Sequence, residues 1–227
     1  MTNWTIIQKL AHLLQPAFDQ LYQWLGDWGL ALIFFTLLVR VCLIPVSLRT
    51  ARLMASQFVF SRKAAELQKT WTGSKEELSG EIANLMQKHK FNPFSMLLNA
   101  LLQSPILVAV FAVFSHLGAQ ASSVLVPWVD SIGLRDPWHL LPLIIALLTG
   151  LASRVSLIPR EYTPNVNGQA KMNFFLMAGI ALFILWSAPV ATALYYGTSS
   201  LWGVLERKAL SRYTRKLIEA QTEVSTG

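Results

Sequence analysis

Charge is scarce in this 227-residue chain, and acidic charge is the scarcer sign, with 12 Asp and Glu against 19 Lys and Arg. Charged residues make up 14% of the chain, hydrophobic ones 53%, and the mean hydropathy is +0.44. That balance is too apolar for an ordinary soluble domain of this size. There is one cysteine, Cys42, which excludes an internal disulfide and reads as a small packing residue in an apolar run. The four histidines, His12, His89, His116 and His139, have no metal-ligand spacing. The sequence also lacks a Gly-rich phosphate loop, a nucleophile elbow, paired carboxylates, internal repeats and low-complexity tracts. The expectation is a protein that is not an enzyme and that uses no metal and no cofactor.

What the chain has instead is long apolar runs. Gly29 to Leu48 is long enough, at about 1.5 Å per residue, to cross a bilayer. Arg40 interrupts it. Only about eleven apolar residues precede Arg40, too few to span a hydrocarbon core roughly 30 Å thick. The flank of the span is therefore Arg49 and Arg52, and Arg40 sits near mid-membrane. A lone arginine there costs about 2.5 kcal/mol or more on insertion scales, so it is expected to face protein or water. Thr36 lies one turn earlier on the same face. The alternative is that Arg40 snorkels to the headgroups, a level that Arg49 and Arg52 already mark.

Residues 1–27 read as an amphipathic helix lying in the membrane interface. Ile6, Leu10, Leu13, Ala17, Leu21 and Trp24 recur at helical spacing between polar residues, Pro16 is a place to bend, and Gly26 ends the segment. It lacks the basic start, compact apolar core and cleavage site of a signal peptide. The polar stretch 50–91 predicts a helical hairpin, with a turn at Thr70 to Gly73 and a capping box from Ser74 to Glu77. It carries eight Lys and Arg between Arg49 and Lys90 against four Glu, which suits either a solvated linker or a docking element.

Asn92-Pro93 starts a second span, 93–115, with Ser95, Asn99 and Gln103 in one stripe and a kink at Pro105. A third span covers 137–156, with Thr149, Ser153 and Ser156 along one side. Lys171 to Leu205 would reach about 50 Å as one helix, so Ser187-Ala188-Pro189 is taken as a break between spans 171–187 and 189–205. The fourth span is short, at about 24 Å, and the fifth carries Thr192, Tyr196, Ser199 and Gly203 on one face. The expected fold is thus an all-α integral membrane protein of five transmembrane helices. Its core covers 28–207, and a short basic cytoplasmic tail covers 208–227.

With the N-terminus outside and five crossings, the hairpin, the 157–171 loop, the tail and Arg154 hold sixteen of the nineteen basic residues; Lys9, Arg40 and Arg135 are the rest. This satisfies the positive-inside rule at each loop, so nucleic-acid recognition need not be invoked. No span contains Asp or Glu, which leaves Arg40 without an obvious carboxylate. Its donors must find hydroxyls, amides, carbonyls or water. Each polar stripe alone is explained by helix packing, where small and hydroxyl residues let helices approach. Four stripes and an arginine together predict a hydrated groove lined by Arg40, Thr36, Gln103, Asn99, Tyr196 and Ser199. Such a groove would hold a polar peptide segment that hydrocarbon rejects.

The run from Trp28 through Thr36, Arg40 and Pro45 to Leu48 resembles the opening membrane helix of the YidC-type membrane protein insertases. Further matching motifs are Asn92-Pro93, Gln103 with Pro105, Asp136-Pro137 with Leu141-Pro142, and Leu194-Tyr195-Tyr196 followed by Ser199 and Leu201. The resemblance covers about residues 1–207. It implies insertion and folding assistance for proteins of the bacterial inner membrane, alone or beside the Sec translocon. It further implies a groove arginine at Arg40, substrate contacts at Thr36 and Tyr196, and a mobile hairpin at 50–91. Partners would be nascent membrane proteins, membrane lipids and, through cytoplasmic basic segments, the ribosome. The sequence departs from the family pattern at Ser95–Asn99, at Ala152-Ser153 and at Ala188-Pro189-Val190, and lacks the extra N-terminal span and large periplasmic domain.

An assembly factor without insertase activity fits the same apolar surfaces and stays open. A small transporter would call for polar residues through both leaflets, intramembrane acidic residues or inverted repeats. An intramembrane hydrolase needs a Ser–His or paired-Asp constellation within the spans. The spans supply neither set.

Overall fold

The computed structural model describes residues 2–88, 106–115, 117–159, 162 and 167–223. Among these the secondary structure is helical, with no strand. Helix α1 covers Thr2–Leu25 and retains Pro16 in its interior. The Gly26 N–H bonds back to the Tyr22 carbonyl at 2.7 Å with Gly26 at φ +70°, a left-handed helix end that glycine adopts without a Cβ clash. Asp27 is extended, at φ −147°, and its carboxylate accepts from the Leu30 N–H at 2.8 Å, which caps α2 (Trp28–Cys42). The two helix axes turn by 119° across this break.

The single run expected from Gly29 to Leu48 is two helices. Helix α2 ends at Cys42, Leu43 caps it by donating to the Val39 carbonyl at 3.0 Å, and α3 covers Ile44–Thr70. Pro45 is the reason. It has no N–H to carry the ladder forward, but it suits the first turn of a new helix. Helix α4 covers Lys75–Lys88 and starts with the capping box: the Glu77 N–H donates to Ser74 Oγ at 3.2 Å and the Ser74 N–H to Glu77 Oε2 at 3.1 Å.

Then come α5 (Ile106–Ser115), α6 (Leu140–Ala152), α7 (Asn167–Leu185) and α8 (Val190–Glu223). The break between α7 and α8 falls at 186–189, where Pro189 ends the chain's freedom to stay helical. Helix α7 has 19 residues, of which Ala170–Leu185 form the apolar part, about 24 Å; α2 has 15 residues and α6 has 13, about 22 and 20 Å. No single described helix is long and apolar enough to cross a membrane; His12–Leu25 with Trp28–Cys42 meets the length and composition together. Helix α8 runs unbroken for 34 residues, through the tail as far as Glu223.

The chain forms two compact units. The first takes Met1–Leu43, Gln103–Val155 and Asn165–Glu206. Its core gathers Phe18, Trp28, Leu32, Val110, Phe114, Ile132 and Leu185. Phe18 meets Phe35 at 4.4 Å between ring centroids and Phe114 edge-on at 5.2 Å, while Tyr22 stacks on Trp28 at 4.5 Å. The second unit takes Ile44–Leu102, Ser156–Pro164 and Arg207–Gly227. Its core is small, with Ala55, Val59 and Ile218 packed by Phe58, Ile158, Tyr162 and Leu217. Around it Arg52 Nε donates to the Tyr213 hydroxyl at 2.7 Å, Gln221 Nε2 to Ser56 Oγ at 3.1 Å and the Tyr162 hydroxyl to Glu219 Oε1 at 3.3 Å.

Candidate functional site

Two buried carboxylates position the helices of the first unit. Asp27, besides capping α2, accepts from Ser123 Oγ at 2.9 Å and from the Val124 N–H at 2.7 Å, tying the α1–α2 corner to the loop after α5. Asp136 accepts from the Leu141 N–H at 2.7 Å, the Trp138 N–H at 3.1 Å and Trp128 Nε1 at 3.3 Å, and so caps α6. The same loop holds the start of α8. The Val190 N–H donates to the Leu134 carbonyl and the Ala191 N–H to the Ile132 carbonyl, both at 2.8 Å. These bonds satisfy donors that a helix N-terminus leaves open. Ser131 ties the loop to itself by donating to the carbonyls of Gly118 and Ala121. Gly133 is packed so closely that a Cβ there would lie 2.3 Å from the Gly118 carbonyl oxygen.

Within that frame Arg40 lies in the last turn of α2, half-buried. Among the described residues it has no hydrogen bond and no ion pair. Thr36 is fully buried and its hydroxyl donates to the Leu32 carbonyl of its own helix at 2.7 Å, a bond that a hydroxyl one turn along a helix commonly makes. Tyr196 is half-buried and Ser199 buried. Thr192 Oγ1 is inaccessible and has no hydrogen-bond partner among the described residues; Ser199 Oγ is inaccessible too and neighbours the Tyr195 hydroxyl. Asn99 and Gln103 lie outside the described residues.

Tyr195 is the residue that sequence reasoning passed over. It is 7% exposed and follows Thr192 by three positions, so it shares the inward face that Thr192 and Ser199 define. That spacing was the available signal. The stripe of α6 behaves differently from those of α2 and α8. Thr149 Oγ1 is paired with Ser200 Oγ at 3.2 Å, and Ser153 Oγ donates to the Gly150 carbonyl at 2.7 Å. These hydroxyls join α6 to α8 and to itself. Close approach on this side is sharpened by Gly197, where a Cβ would meet Ile145 Cδ1 at 2.5 Å. Arg154, beyond the end of α6, lies over the Phe174 ring at 4.8 Å.

An all-helical chain with exposed apolar helix faces, a sparse basic charge and one arginine inside an apolar helix has the make-up of an inner-membrane protein. Residues 20–217 match the family described as 60Kd inner membrane protein, and the chain belongs to that family. Among its relatives is the membrane protein insertase YidC of Helicobacter pylori, 28% identical over 207 residues, which cover 90% of this chain and 37% of that protein. The YidC of Wigglesworthia glossinidia brevipalpis is 26% identical over 94% of this chain and 38% of its own length. That of Francisella philomiragia is 26% identical over 86% of this chain and 34% of its own. The chain thus spans little more than a third of the relatives it matches.

Proposed function

We propose that this protein is a membrane protein insertase, working without covalent chemistry on nascent membrane proteins. The observation that carries the proposal is Arg40, a half-buried cation without an ion pair or hydrogen bond among the described residues, in the same compact unit as the buried hydroxyl of Thr192, which has no partner among them either. Buried polar atoms left without partners are costly unless water or a ligand supplies them. Water around Arg40, and in turn the polar segment of a client, would supply both. Arg40, Thr36, Tyr196 and Ser199, with Asn99 and Gln103, form the groove in this reading, and Tyr195 joins them.

The topology proposed with it places residues 1–27 in the outer interface. Five crossings follow within residues 28–207, and the hairpin 50–91 and tail 208–227 lie in the cytoplasm. The shortness of the apolar part of α7, Ala170–Leu185, about 24 Å against roughly 30 Å of hydrocarbon, supports local thinning, which shortens the distance a hydrophilic segment travels. The Sec translocon and the ribosome are proposed as further partners, the latter through the basic residues of the cytoplasmic segments.

The test is depletion of the endogenous protein, complemented with wild type or Arg40→Ala, and scored by insertion of a small single-span client. Wild type should restore insertion and Arg40→Ala, at equal expression, should not. Restoration by Arg40→Lys would show that the charge suffices. Insertion unaffected by depletion would assign the protein to assembly without insertase activity.

A further inference from the structure

The corner where α1 turns into α2 forms an open groove of about 420 Å³. Ala17, Gln20, Leu21 and Trp24 form one wall and Phe35, Leu38, Val39 and Cys42 the other, and the surface they turn to the groove is apolar, Gln20 contributing no polar atom. A cavity without polar partners does not hold ordered water. It is open on one side, and its rim continues into exposed apolar surface. Leu13 and Trp24 on α1 are more than 70% exposed, and Leu38 and Val41 on α2 about half. In a member of an inner-membrane family that surface meets lipid, and the apolar chain within reach of the opening is an acyl chain. The far side of the same corner is already filled, by Phe18 against Phe35 and Phe114.

We propose that this corner is a lipid-binding site that takes one phospholipid acyl chain, wedged between α1 and α2. The site lies apart from Arg40, which does not line it, and holds whether or not the protein is an insertase. The lipid would complete the packing of a bend whose outer side has no side chains to fill it.

The full chain is reconstituted in nanodiscs containing a small fraction of phospholipid with a diazirine on the acyl chain, irradiated, and its adducts mapped. Adducts at Trp24, Leu38 and Cys42 should exceed, several-fold, those at Leu147 of α6 and Phe183 of α7, which are exposed to a similar or greater degree. Ala17→Phe fills the groove without removing a wall, and should bring the corner down to the level of Leu147 while Leu147 and Phe183 stay unchanged. Cys42→Phe is the second filling variant, and thermal unfolding identifies which of the two folds as wild type. Equal labelling at all exposed positions would mean annular lipid only and would overturn the proposal. So would corner labelling that persists in the folded filled variant, or a cross-link from Cys42 to a client segment in place of lipid.

Discussion

The first unit buries two carboxylates, Asp27 and Asp136, whereas the described carboxylates of the second are exposed. Asp27, Asp136, Ser131 and Thr36 are buried in the first, and each is answered by backbone groups or a neighbouring hydroxyl. In the second, the core is a stripe of Ala51, Ala55, Val59 and Ala64 on α3, and the cross-element bonds of Arg52 and Tyr162 are made where solvent reaches them. A buried polar group must be satisfied, so removing its partner is expensive; an exposed pair exchanges with water at little cost. The first unit should therefore fail at single positions, and the second should yield gradually.

The sharpest test of that contrast is Gly133→Ala. The added methyl meets two carbonyl oxygens, of Gly118 and Phe114, and backbone cannot swing aside as a side chain can. A loss of about 3 kcal/mol is expected, at the upper end for overpacking, read by thermal unfolding in detergent. Next is Asp27→Ala, which removes the α2 cap together with the acceptor for Ser123 and Val124. About 2 kcal/mol should be lost, with faster amide exchange at Leu30 and Val124 as its local signature. Thr149→Val, which breaks the α6–α8 hydroxyl pair, should cost about 1 kcal/mol. The smallest effect belongs to the second unit. A double-mutant cycle of Arg52→Ala with Tyr213→Phe should return a coupling of about 0.5 kcal/mol. A coupling as large as the loss at Asp27 would erase the distinction between the units.

Local signals were read from the sequence where the responsible groups are neighbours along the chain. The end of α1 at Gly26, the capping box of α4 and the break before Val190 each depend on residues within one turn of one another. Pro45 was as visible as these, but the apolar run through it hid the split between α2 and α3. Hydropathy averages over the very residue whose missing N–H ends a helix.

The sequence by itself determined the class: an all-helical, apolar, basic chain with one arginine in an apolar helix, since helix type and charge balance depend on composition and short-range spacing. Tertiary structure alone decided which polar groups are spent and which are left over. Thr149 proved to be tied to Ser200, and Thr36 to its own helix, while Thr192 has no partner among the described residues. Helical spacing places a hydroxyl on a face, but whether that face meets a partner depends on how residues far apart in the chain are brought together.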